Sequence, residues 1–241
     1  MKPIGRRNYG SIPHLPNSRL GPGDHHCHAG QAVIMTEKTR DRHDVVHVFE
    51  KLDGTNVGIA RVGSEIFALQ RSGYVASTSP YEMHVLFADW VEVNKSFWRD
   101  VLADGERLVG EWLAQAHGTK YSLPKGPFVA FDLIEGDARA PIMDVIGMCS
   151  SFGIPTPRHV HSGAAIAVDE ALAICGHGDH GCLDEPEGLV YRVERKGRFD
   201  FAAKYVKPGK IDGLYLPGVT GSISEVAVWN WHPKMRAEQT A

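Results

Sequence analysis

Lys51 closes the alternating, β-branched run Val45-Val46-His47-Val48-Phe49-Glu50, and Asp53-Gly54 follows two residues later. A strand that delivers a lysine into an Asp-Gly turn holds the amine at a fixed point on the rim of a sheet. A neutral amine attacks phosphorus, and neighbouring cations or desolvation lower a lysine's pKa enough to supply one. Other residues, read in chain order, fill out a phosphoryl-transfer set. Arg71, in Gln70-Arg71-Ser72-Gly73, ends a strand-like run within reach of a ribose or a phosphate. Glu111 lies in the apolar run Gly110-Glu111-Trp112, where a carboxylate needs a partner such as a ribose hydroxyl. In Phe128-Val129-Ala130-Phe131-Asp132 the alternation sets Phe131 opposite the other face, free to stack on a purine or to join the core.

Glu187 opens Glu187-Gly188-Leu189-Val190-Tyr191 after the turn-rich Asp184-Glu185-Pro186. A hard ion such as Mg²⁺ binds through one or two carboxylates plus phosphate oxygens, so a single strand-end glutamate suffices. Lys204 and Lys207, in Lys204-Tyr205-Val206-Lys207, set two ammonium groups close together, which an anion between them stabilises. Each residue alone has an ordinary reading as a solvated charge or a core ring. Their order along the chain carries the argument.

The elements that must position these groups read as α+β with mainly antiparallel sheets. Residues 1–42 form an irregular, basic, His-rich amino-terminal arm with a short helix near 30–42, and 43–241 form one domain. Within that domain 45–51, 55–62 and 64–71 read as an antiparallel meander, and 81–103 as the longest helix. Strands follow at 106–114 and 127–135, then a helix at 168–175 stopped by Gly176. Strands at 187–194 and 199–206 share a turn at 195–198, and 225–231 reads as a last strand.

With 241 residues, 43% hydrophobic and 23% charged, the chain can bury a full core. Its net charge of −3 argues against a bulk cationic nucleic-acid binder. No apolar run nears the ~18 residues of a membrane span, and Met1–Arg7 lacks the apolar stretch of a signal peptide. Four sparse cysteines (Cys27, Cys149, Cys175, Cys182) suit reduced thiols, so the expected location is cytoplasmic, with no membrane partner. The arm holds seven Lys/Arg, including Arg6 and Arg7, against three acids. That excess, with His25, His26 and His28, fits local phosphate recognition or a solvated terminal segment. The Asp24–His28 and Cys175–Cys182 stretches also invite a zinc reading, although neither has the usual ligand spacing.

The collinear series K-x-D-G-x-N, R-S-G, G-E, F-x-x-F-D, E-G-L-V and A-K-Y-V-K resembles the covalent nucleotidyltransferase superfamily of polynucleotide ligases and capping enzymes. Within it, the chain is most similar to ATP-dependent RNA ligases over roughly residues 45–210. The resemblance implies the ligase adenylation fold, ATP and Mg²⁺ or Mn²⁺ as cofactors, and RNA 3′-hydroxyl and 5′-phosphate ends as partners. It implies RNA end joining, as in RNA repair, through a lysyl-AMP on Lys51 and an AMP-capped RNA 5′ end. Glu50 would meet adenine through its backbone, Asn56 is the feature typical of RNA ligases, and Arg71 would act on ribose or phosphates. Glu111 would take a ribose hydroxyl and Phe131 would stack on adenine, with Asp132 in support. Glu187 would help hold the metal, while Lys204 and Lys207 would hold the α-phosphate. Two residues separate those lysines where the family often has one. Only 34 residues follow Lys207, too few for a carboxy-terminal oligonucleotide-binding (OB) barrel, so the arm is expected to engage RNA ends through Arg6, Arg7, His25, His26 and His28. The alternatives are a DNA ligase or capping guanylyltransferase-like enzyme, or a non-catalytic RNA- or nucleotide-binding protein on the same fold.

Overall fold

A computed structural model describes residues 1–238. In chain order the elements are α1 (Ala29–Thr36), β1 (Asp44–Lys51), β2 (Thr55–Val62), β3 (Glu65–Gln70), α2 (Glu82–Val93) and α3 (Lys95–Val101). β4 (Glu106–Trp112), β5 (Phe128–Glu135), β6 (Ala138–Arg139), α4 (Ile142–Ser151) and β7 (His159–Gly163) follow. The series ends with α5 (Val168–Cys175), β8 (Gly188–Arg195), β9 (Arg198–Val206) and α6 (Pro233–Glu238). The strands make two antiparallel sheets, β7-β1-β8-β9 and β3-β2-β4-β5-β6, as an α+β chain requires.

The described chain divides into two compact units, one of residues 1–10, 54–115 and 126–156, the other of 11–53, 116–125 and the described residues from 157 onward. The division overturns the expected meander. β1 does not pair with β2; it lies between β7 and β8, and the chain leaves its unit after Asp53. Asp53-Gly54 is therefore a crossing point and not a hairpin turn. Gly54 is needed because a Cβ there would meet the Trp112 carbonyl oxygen at 2.6 Å. The basic arm is likewise shared, residues 1–10 lying in one unit and 11–42 in the other.

In the four-stranded unit, Val46 and Val48 of β1 join Leu189, Tyr191, Val193 and Ala203 in a buried cluster with Leu15, Met35, Ala171 and Cys175. Because side chains alternate, His47, Phe49 and Lys51 fall on the opposite face of the same strand. The five-stranded unit is built on aromatic packing. Phe87 and Trp90 of α2 contact Trp112 and Phe128 at ring separations of 5.3–5.9 Å, and Trp98 of α3 joins them.

Three sequence expectations need correction. The long helix is two, because the Asn94 side chain donates to the Trp90 carbonyl at 2.7 Å and closes α2. The first helix stops at Thr36, well before residue 42. Residues 225–231 form no strand. Their polar groups instead tie down another segment, Val228 O accepting from Ala116 N–H and Asn230 Oδ1 from Tyr121 N–H. The helix ending at Gly176, which takes φ +53°, is as expected.

Candidate active site

Lys51 is the last residue of β1, in register with Gly188 of β8. A Cβ at Gly188 would overlap the Tyr205 carbonyl oxygen, so glycine lets the β9 backbone close in beside Lys51. Glu187 precedes Gly188, and its Oε2 lies 2.5 Å from Lys51 Nζ, with 19% of the lysine side chain and 7% of the glutamate exposed. The ammonium also donates to the Leu52 carbonyl at 3.3 Å. Lys204 of β9 is in register with Val190, itself opposite Phe49, which puts Lys204 on the Lys51 face of the sheet. Burial, followed by the charge on Lys51, drives the Lys204 ammonium below its ordinary pKa, while Asp24 and Glu187 oppose that shift.

Asp53 accepts from Gly118 N–H at 2.9 Å and its own N–H donates to Tyr121 Oη at 3.0 Å. The neighbouring His117 imidazole is held below its ordinary pKa by burial; Asp53 opposes this and Lys51 adds to it. Lys207 lies past the end of β9. Its N–H donates to the Glu187 carbonyl and its ammonium to Glu185 Oε1 at 2.9 Å, so the structure brings Lys51, Glu187 and Lys204 together but pairs Lys207 with an exposed carboxylate.

Glu50 points to the face away from Lys51 and is buried. Its backbone N–H donates to the Arg158 carbonyl. Its carboxylate accepts from Arg158 N–H and Asp179 N–H, each at 3.0 Å, and lies 3.1 Å from His180 Nε2. Burial resists ionisation of Glu50, yet these partners, His180 foremost, bring its pKa below the ordinary value. The side chain clips down the Gly-rich loop after α5, and Gly178 (φ +69°) has no room for a Cβ beside Glu50 Oε2.

The other unit holds Asn56, Arg71, Glu111 and Phe131. Asn56 of β2 faces Glu111 of β4 in register, and Glu111 Oε1 accepts from Gly54 N–H at 3.2 Å. The glycine of the Gly110-Glu111 pair is fixed by packing, since a Cβ would strike the Phe128 ring and the Val129 carbonyl. Strand pairing shifts at this point. Val109 pairs with Asp132 and Gly110 with Ala130, leaving Phe131 as the extra residue of a bulge. The bulge breaks the alternation assumed from sequence and leaves Phe131 half-buried while Asp132 is fully buried. Arg71 is exposed, and its carbonyl accepts from Tyr9 N–H.

Sequence reasoning missed the residues of the arm that touch these groups. The Tyr9 ring meets Phe131 edge-on at 5.4 Å and its hydroxyl lies 3.2 Å from Asp132 Oδ2. Arg139 bridges the two, 2.8 Å from Tyr9 Oη and 3.0 Å from Asp132 Oδ2. In the four-stranded unit Asp24 Oδ1 lies 3.6 Å from Lys204 Nζ. Tyr9 and Asp24 both sit in Pro/Gly-rich sequence with no period: nothing local marks Tyr9, and Asp24 stands out only as the start of the Asp24–His28 stretch, with no sign of a lysine partner. Arg6, Arg7, His25, His26 and His28 are all exposed; Arg6 pairs with Asp137 and the His28 backbone N–H bonds Gln31.

Among the described residues, no three His, Cys, Asp or Glu side chains converge to hold a metal ion. The zinc reading of the Cys175–Cys182 loop finds its donors engaged elsewhere. The Cys175 thiol is buried and pushed up to about 11, Cys182 Sγ bonds the Asp184 carbonyl, and His180 faces Glu50. In the four-stranded unit Glu187 offers one carboxylate beside two ammonium groups, a set that fits a divalent ion completed by phosphate oxygens better than zinc. In the five-stranded unit Asn56 Oδ1 is buried without a hydrogen-bond partner. No helix among the described residues is long and apolar enough to cross a membrane.

A sequence profile of the RNA ligase family matches residues 44–206, about two thirds of the chain. No curated protein matches the chain significantly. Among solved structures the chain is similar to an archaeal ATP-dependent RNA ligase, at 20% identity and a TM-score of 0.53, over 82% of this chain and 48% of that one. It is also similar to an RNA ligase from Naegleria gruberi, a lysine-to-alanine variant solved with ATP and Mn, at 15% identity and a TM-score of 0.52, over 80% of this chain and 58% of that one. These likenesses establish the fold, that of the RNA ligases, and the chain spans about half the length of the solved structures it matches.

Proposed function

The chain belongs to the RNA ligase family, and on that footing we propose that it is an ATP-dependent enzyme joining RNA 3′-hydroxyl and 5′-phosphate ends through AMP carried on Lys51. The observation that supports this most is the pairing of Lys51 with Glu187, 2.5 Å apart on the sheet face that also carries Lys204. Glu187 accepts the lysine's proton-bearing end and holds it at the strand terminus. The ammonium first gives up one proton to solvent. The neutral amine then attacks the α-phosphorus, an N–P bond forms, the bond to the pyrophosphate oxygen breaks and pyrophosphate leaves, and the second nitrogen proton passes to solvent. AMP then passes to an RNA 5′-phosphate, and a 3′-hydroxyl displaces it. Each step is an in-line displacement in which positioning and charge neutralisation do most of the catalysis.

In this reading Lys204 holds the α-phosphate, Glu111 takes a ribose hydroxyl, Asn56 and Arg71 contact nucleotide oxygens, and Phe131 stacks on adenine. Lys207 has a lesser part, because its ammonium is paired with Glu185. Glu50 acts by fixing the end of β1 from its buried side. A bound Mg²⁺ or Mn²⁺ would be held by Glu187 with phosphate oxygens and would supply charge neutralisation at the transferring phosphate. The test is incubation with α-labelled ATP and a divalent ion. Label that survives denaturation, resists alkali, is lost in acid and is absent from Lys51→Ala supports the reading; no mass gain of AMP with either ion overturns it.

A further inference from the structure

Lys204 is held by a segment that lies outside the stretch matched by the family profile. Its N–H donates to the Pro13 carbonyl and its carbonyl accepts from Leu15 N–H, so residues 13–15 run along the outer edge of β9. The same segment carries a buried polar chain. Ser18 Oγ accepts from Val206 N–H at 2.8 Å and lies 2.7 Å from His14 Nδ1. The other ring nitrogen, Nε2, lies beside a carboxylate, which can only accept, so the neutral imidazole carries its proton on Nε2 and Nδ1 accepts from the Ser18 hydroxyl. Nε2 faces Asp24 Oδ2 at 2.9 Å, and Gly21 N–H donates to the same oxygen at 3.1 Å. Asp24 Oδ1 is then aimed at Lys204 Nζ, 3.6 Å away.

We propose that Asp24, oriented by Ser18 and His14, is a positioning residue that fixes the charged Lys204 ammonium on the Lys51 face of the sheet. The proposal rests on the adenylation reading for its consequence, but the contact itself does not. Four titratable groups act on Lys204: Lys51 from β1, Glu187 from the start of β8, and Asp24 and His14 from the arm. Burial and Lys51 disfavour the charged form; Asp24, 3.6 Å from Nζ and the stronger of the two opposing carboxylates, acts with Glu187 to keep a cation there for a phosphate to meet. His14, 1% exposed, is held below its ordinary pKa first by burial and then by Lys204, which favours the neutral ring, and its buried position keeps Nε2 2.9 Å from Asp24 Oδ2.

The experiment compares wild type with Asp24→Asn, which keeps shape and removes charge, and with Ser18→Ala should the first variant fail to fold. Two readouts are taken: the Lys204 titration by NMR of labelled lysine, and the rate of adduct formation with ATP across pH. Loss of the carboxylate should lower the Lys204 pKa by about one unit. It should also slow adduct formation roughly tenfold and move the alkaline fall-off of the rate to lower pH. An unchanged Lys204 titration and pH profile, with only the melting temperature reduced, would make Asp24 a structural residue and overturn the proposal. Faster adduct formation in Asp24→Asn would overturn it too, by showing the carboxylate to be a competitor of phosphate. Should wild type form no adduct, the adenylation reading falls while the Lys204 titration still decides the Asp24 contact.

Discussion

Lys51 Nζ stands 2.5 Å from Glu187 Oε2 because the strand pairing sets Lys51 opposite Gly188, a residue with no side chain to fill the space. Lysine and carboxylate, 136 residues apart in sequence, are joined by one register of two strands. Moving that register by one residue would send Lys51 to the buried face now held by Glu50.

The pairing predicts a graded result. Lys51→Ala should give no adduct at all. Glu187→Ala should remain folded and form adduct on the order of 10²–10³ slower at saturating ATP, the usual loss on removing one electrostatic stabiliser of a phosphoryl or acyl transfer. Circular dichroism and intact-mass kinetics on the two variants check this, and a wild-type rate in folded Glu187→Ala would remove the carboxylate from the mechanism.

Phe131 and Tyr9 separate binding from stability. Phe131→Ala should weaken ATP binding by about 1–3 kcal/mol, the range for a base stacked on an aromatic ring. Tyr9→Phe keeps the edge-on ring but removes the hydroxyl shared with Asp132 and Arg139. It should cost about 1–2 kcal/mol of folding stability, as an uncompensated buried polar contact does, with little change in ATP affinity. Calorimetric titration with ATP and urea unfolding read the two effects. A Phe131→Ala variant that binds ATP normally but melts earlier would return Phe131 to the core.

Much of the candidate site is legible in the sequence because its signals are local. Lys51 and Glu187 sit at strand ends marked by turn residues, and the strands read at 106–114 and 187–194 are found at Glu106–Trp112 and Gly188–Arg195. What the sequence hides is pairing. β1 and β2 look like neighbours in a meander, since a three-residue connection with Asp-Gly is ordinary for a hairpin, yet β1 is claimed by β7 and β8. The bulge at Phe131 is invisible for the same reason, being a property of two strands and not one. Asp24 and Tyr9 belong to irregular chain whose partners are fixed only by tertiary contact.

Acid should find a weak point on the His47 side of the four-stranded sheet. Burial, more than its neighbours His159, Arg192 and His161, pushes the His47 imidazole down to about 4, and Glu194 opposes this. Between about 4 and the ordinary 6.5 the unfolded chain takes up a proton that the folded chain refuses, so stability rises with pH across that window and is lost on descent through it. His14, His117 and His159 are displaced in the same direction and steepen the loss. Urea midpoints measured from pH 7 to pH 4 should fall, and His47→Gln should flatten the decline by up to about 3 kcal/mol. Equal slopes in the two proteins would mean that His47 is not held neutral by the fold.

The arm divides by chemistry as well as by structure. His14 faces Asp24, Ser18 holds His14 and the Val206 amide, and Tyr9 meets Phe131, whereas Arg6, Arg7, His25 and His26 are exposed. Exposed arginines and imidazole N–H donors suit phosphate contacts, which orient a nucleic-acid strand and make its binding fall with salt. Changing Arg6, Arg7, His25 and His26 to alanine should therefore weaken RNA binding several-fold and flatten its salt dependence, while adduct formation with ATP persists. The decisive pair of assays is adduct formation against sealing of pre-adenylated RNA. A variant that loses adduct formation but seals pre-adenylated RNA at the wild-type rate would place these four residues in the ATP step, and would leave RNA-end recognition to other parts of the chain.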